Sequence, residues 1–140
     1  GFFLTEANQY AEAERHMRDS LGMRRRLLGD AHPDVASSLT SLAILQVATH
    51  KYADALDSAR EAVKIYSAAL SATHWRTAIP ASAQGAALAG LGRYAEAEKM
   101  LPPAYQILTH DIGASKTYVT LAQRYLDDLH RREARGAIHP

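Results

Sequence analysis

Histidine, serine, glutamate and arginine are the side chains here that could do chemistry, and their spacing decides what each one does. His32 and His74 come first, as metal ligands or as a general base. They stand 42 residues apart in matching surroundings, DAHPDV and SATHWRT. Ligands of one ion must converge within a few ångströms, and two copies of one junction do not. Both are expected to pack or hydrogen-bond locally, with no metal site. The serines lack the Gly-x-Ser-x-Gly setting of an activated nucleophile. Gly90-Leu91-Gly92 lacks the strand and further glycines of a phosphate loop, and reads as a turn. Glu12 with Glu14, and Glu96 with Glu98, are two residues apart and point different ways on a helix; Asp127 and Asp128 also read as surface. Cysteine is absent, which excludes disulfides, thiolate zinc sites and cysteine nucleophiles. The expectation is a chain without catalytic residues, metal or cofactor.

Arg24, Arg25 and Arg26, with Arg15 and Arg18, form the densest cluster of charge. On a helix they wrap around the axis, and no aromatics interleave for base stacking. They are expected to be solvated and paired locally with Glu14 and Asp19. Over all 140 residues, sixteen Lys and Arg face fifteen Asp and Glu, so no global field draws in nucleic acid or an anionic membrane. No apolar run approaches the roughly 18 residues of a membrane span. The opening GFFLTEANQY has no basic lead, which argues against a signal peptide, and a cytoplasmic setting is expected. The lack of a starting Met and the apolar Phe2, Phe3 and Leu4 suggest a piece of a longer protein.

The elements that must hold these residues follow from an internal repeat. YAEAE at 10–14 returns as YADAL at 52–56 and as YAEAE at 94–98, each time after 42 residues. LGDAHPDVASSL, LSATHWRTAIPA and DIGASKTYVTLA are one junction written three times. Each unit reads as two helices. In 10–28, Ala13, Met17, Leu21 and Leu28 make an apolar stripe. Gly29 suits a left-handed helix end and Pro33 the first turn of the next helix. That helix, over 33–48, carries Val35, Leu39, Leu42, Ala43 and Val47 on its apolar face. Ala55, Ala59 and Ala62 let the following helix lie close to its partner. The 27 alanines beside two Phe and one Trp fit closely packed helices better than a β-sandwich. A single helix pair cannot bury its face, so the copies must stack.

The pattern LGxxHPxVAxSLxxLAxLxxxxxxYAxA resembles the 42-residue tetratricopeptide repeat of the kinesin light chain type. The resemblance implies an all-α, right-handed solenoid of antiparallel helix pairs, with about seven helical segments in one domain. A partial repeat covers 1–28, in which Phe2 and Phe3 match Ile44 and Leu45. Repeats follow at 33–70 and 76–110, then a capping helix at 115–132 and a frayed basic tail at 133–140. The resemblance further implies a non-catalytic module whose concave groove binds a peptide or a neighbouring domain. Carried over by position, that groove comprises Ser37, Thr40, Ser41, Ile44 and Val47, then Ile79, Ser82, Ala83, Ala86 and Ala89, and on the cap Leu121, Arg124 and Asp128. Hydroxyls and alanines at Thr40, Ser41, Ser82 and Ala83 replace the asparagines of the family. Thr40, Ser41, Ser82 and Arg124 are the strongest candidates for partner contact, with Thr40→Arg plus Ser82→Arg expected to abolish it.

Two departures carry expectations of their own. Pro80 should delay or kink the helix of the third unit, and Pro102-Pro103 should break the one starting at Tyr94. The stretch AEKMLPPAYQIL followed by TYVTLAQRYLDDLH also looks similar to terminal repeats of bacterial Ser/Thr kinases and other multidomain signalling proteins. That resemblance implies a regulatory or scaffolding tail with an upstream domain in the same chain. A self-associating structural solenoid is the third reading.

Overall fold

In the computed structural model, which describes residues 2–111 and 113–138 and the side chains of 5–111 and 113–136, six α-helices follow one another. They are α1 (Phe2–Leu28), α2 (Pro33–Ala48), α3 (Tyr52–Ala69), α4 (Trp75–Gly90), α5 (Tyr94–His110) and α6 (Lys116–Ile138). Among the described residues there is no strand. Connections of three to five residues leave no room for a crossover, so successive helices fold back on one another. Each helix packs on the next, and α4 also packs on both α2 and α6. The odd helices therefore form one layer, with α2, α4 and α6 side by side in the other.

Local chemistry explains the boundaries. His32 and His74 are N-caps: each Nδ1 accepts the backbone N–H two residues on, from Asp34 and Arg76, at 3.0 Å. Pro33 then opens α2, where its missing N–H costs nothing. The left-handed residues ending the helices are Gly29 (φ 90°), His50 (φ 63°) and Gly92 (φ 80°). Small residues set the spacing. Ala55, Ala59, Ala62, Ala83, Ala87 and Ala97 are all fully buried. Tyr52 lays its ring against Gly90, where even a methyl group would overlap it.

Four sequence expectations need correction. There are six helices rather than about seven, because α1 runs unbroken from Phe2 through the place where a turn was expected. Asn8 occupies the register of His50 and Gly92 yet stays helical, which keeps the i→i−4 bonding of α1 continuous there. Residues 133–138, expected to fray, continue α6 to Ile138. Pro80 lies inside an uninterrupted α4. Pro102 and Pro103 likewise lie inside an uninterrupted α5. The lost N–H groups free the carbonyls of Glu98 and Lys99, but Leu101, Ala104 and Leu108 beside the prolines are buried in the core. That anchoring offsets a cost of about 3 kcal/mol per interior proline, which comes from the lost hydrogen bond and from the ring's clash with the preceding turn. The expected exposure of Phe2, Phe3 and Leu4 falls on side chains outside those described.

Candidate functional site

A concavity of about 750 Å³ lies between α2 and α6. Ser41, Ile44, Leu45 and Ala48 of α2 form one wall. The other is Lys116, Thr117, Tyr118, Thr120, Leu121 and Arg124 of α6, and Met17 of α1 closes one side. Apolar side chains dominate the surface, with hydroxyls at Ser41, Thr117 and Thr120. Lys116 and Arg124 are exposed, and among the described residues neither has a carboxylate within ion-pair distance. A groove of this kind suits an extended segment that inserts apolar side chains and carries an acidic group at the rim.

Of the thirteen residues proposed from sequence, Ser41, Ile44, Leu121 and Arg124 are brought together here. Ser37 is exposed on a smaller hollow beside Ser20, Arg24 and Ser38. Thr40 and Ser82 are buried, and their hydroxyls donate at 2.7 Å to the carbonyls of Ala36 and Ile79 in their own helices. Ile79, Ala83, Ala86 and Ala89 are core residues, because α4 is enclosed by α2, α3, α5 and α6. Val47 is half-buried against the cluster that holds Leu88. Asp128 turns away to Arg132 at 2.7 Å, which also holds the Arg132 guanidinium's pKa above its usual value. Sequence reasoning missed Met17, Leu45, Ala48, Lys116, Thr117, Tyr118 and Thr120. The aromatic Tyr118 one turn before Leu121 was the available signal.

The basic cluster is absorbed into structure. Arg25 grips Glu61 of α3 with two bonds, at 2.6 and 2.9 Å, and its pKa rises accordingly. Arg24 donates to the Asp34 carbonyl and the Ser38 hydroxyl. Arg18 pairs with Glu14 as expected, and Lys51 joins them at 3.1 Å. Beneath them is a polar clasp that the sequence did not reveal. With its amide oriented to satisfy its neighbours, Gln46 accepts from Arg18 Nη2 at 3.2 Å and donates to the Asp54 carbonyl and Ser58 Oγ.

Stacked helix pairs with a groove along the layer of even-numbered helices define a helical repeat fold. Residues 1–68, just under half of the chain, match the tetratricopeptide repeat family. Over 74 residues it is 35% identical to the RxLR effector protein SFI4 of Phytophthora infestans (strain T30-4). The match covers 53% of this chain and spans about a fifth of the effector's length, 22%. Among the described residues, no helix is long and apolar enough to cross a membrane.

Proposed function

We propose that the chain is a protein-interaction module that binds an extended peptide segment, or a strand-like part of a neighbouring domain, in the α2–α6 groove. The observation that carries this reading is the pairing of an apolar wall with two exposed cations that have no acidic partner among the described residues. Tetratricopeptide repeats generally act through protein contacts, which supports the same reading. The groove is pre-formed by helices, so a partner would meet little ordering cost on the protein side. Ile44, Leu45, Tyr118 and Leu121 would take the apolar side chains, and Lys116 and Arg124 a carboxylate. Recruitment of partners to a larger signalling protein is the natural setting for such a module.

A displayed random-peptide library tests the idea. Selection on the wild-type protein should enrich sequences with an apolar residue beside Asp or Glu. Ile44→Asp plus Leu121→Asp should lose at least tenfold in affinity for the enriched peptides while keeping the helical spectrum. Arg124→Glu should lose selectively against the acidic ones. Equal binding by wild type and the Ile44/Leu121 variant would refute the groove. Thr40→Arg plus Ser82→Arg is no longer a suitable test, because both side chains lie in the core.

A further inference from the structure

On the opposite side of α6 from the groove, three metal-ligating side chains converge. Glu98 of α5 meets His130 and Glu133 of α6, with one donor atom from each all within 4.8 Å of one another. His130 Nε2 and Glu98 Oε1 are 3.6 Å apart. The spacing of His130 and Glu133, three residues along one helix, puts both on the same face. Glu98 enters from the neighbouring helix one turn before the prolines that α5 accommodates. In a tetrahedral zinc site, metal–ligand bonds of about 2.0–2.2 Å place the donor atoms roughly 3.3 Å apart. Closing this triad onto an ion therefore requires only small rotamer adjustments at a half-exposed surface.

Comparison within the repeat makes the charge pattern at Glu98 unusual. Glu14 occupies the same register 84 residues earlier and is neutralised by both Lys51 and Arg18. At the middle repeat the place is taken by Leu56, buried in the core. Glu98 instead faces a second carboxylate and an imidazole. Among the described residues no Lys or Arg comes within ion-pair distance of Glu98 or Glu133. The position that recruits two cations in the first unit thus has two carboxyl groups and an imidazole in the third.

We propose that Glu98, His130 and Glu133 bind a divalent transition metal of the zinc class, tying the C-terminal part of α6 to α5. The imidazole donor favours Zn²⁺ over Mg²⁺ or Ca²⁺, which prefer all-oxygen sites. Two carboxylates balance the charge of the ion, and water completes the coordination. This site is independent of the peptide groove, so either can fail without the other.

Protein stripped with a chelator and dialysed against Zn²⁺ should bind one ion per chain, released by His130→Gln or Glu133→Gln. Saturating Zn²⁺ should raise the melting temperature by several degrees in the wild type and leave both variants unmoved. Without metal, the variants should melt with the wild type, because the three side chains are at the surface. Imidazole NMR supplies a second readout, in which the His130 ring signals shift at one equivalent while those of the other histidines do not. Unchanged stoichiometry in His130→Gln would assign the ion to other histidines and overturn the proposal. An equal rise with Mg²⁺ would reduce the cluster to a nonselective acidic patch and overturn it too.

Discussion

In the α2–α3 pair a buried amide, Gln46, meets the hydroxyl of Ser58 across the helix interface at 2.8 Å. Forty-two residues on, in the α4–α5 pair, Leu88 and Met100 stand in those two places, Leu88 with 2% of its surface exposed. The two pairs share alanines, caps and connector lengths, yet one interface is held by directed hydrogen bonds and the other by fitted volume. The difference shows which features the repeat requires. Ala55 and Ala62 recur as Ala97 and Ala104, whereas Ala59 gives way to Leu101, which packs on Gly85 in the register of Ala43, so a position can change when a neighbour changes with it. A polar residue on one side only would leave a buried group without a partner, which is the costly arrangement.

The largest effect should come from mixing the two solutions. Leu88→Gln places an amide among apolar neighbours, and lost burial plus an unsatisfied group should cost roughly 4 kcal/mol. Thermal unfolding should show a fall of more than about 10 °C. A drop of only a degree or two would mean that the α4–α5 interface admits polarity as readily as α2–α3. The reverse change, Gln46→Leu, should cost about 1 kcal/mol, since Ser58 sits on a helix whose own carbonyls can take its hydroxyl.

Next in size is the contrast between the middle and the start of the chain. Leu101 and Met17 share a register, but Leu101 is fully buried whereas Met17 is only partly covered. Leu101→Ala should destabilise by about 3 kcal/mol through lost burial and a cavity. Met17→Ala should cost no more than about 1 kcal/mol. Urea titrations followed by circular dichroism would measure both, and equal costs would remove the distinction between an enclosed α4–α5 pair and a one-sided α1.

The smallest effect is one of pH. Burial raises the Glu14 carboxyl pKa, but Lys51 and Arg18 together outweigh it and hold the group below the ordinary glutamate range. A carboxylate whose pKa is lower folded than unfolded adds stability above the unfolded value, and that contribution disappears as pH falls. The window opens near pH 4.3, the unfolded value, and extends down to the depressed folded one. Glu14→Gln should therefore flatten the acid limb of stability there. Acid titrations of melting temperature would show this, and identical limbs for wild type and Glu14→Gln would remove the Lys51 link as a stabilising contact.

Much of the architecture could be read from the residues. The bounds of α2, the local hydrogen bonding of His32 and His74 and the close-packed alanines followed because period, proline and small residues all pointed the same way. The groove was harder. A hydroxyl on a repeat position has no mark that separates a partner contact from a bond to its own helix, and Thr40 and Ser82 chose the latter. Burial at Ile79, Ala83 and Ala89 depends on α6 covering α4, a long-range fact with no local signature. Lys116 and Tyr118 looked like junction residues because the third copy of the junction is worn. The double proline misled for the opposite reason, since local rules forbid what the neighbouring Leu101 and Ala104 enforce.

A solenoid ordinarily behaves as a row of units that speak only to their neighbours, and its ends peel away first. Here Arg132, near the end of α6, donates to the Tyr52 hydroxyl at 3.1 Å and lays its guanidinium over that ring, 80 residues back along the chain. Tyr52 in turn bonds His50 at the α2–α3 turn. The last helix therefore cannot leave without disturbing the first complete hairpin, and the row acquires a latch. Melting should run less like unzipping and more like the opening of a single closed loop.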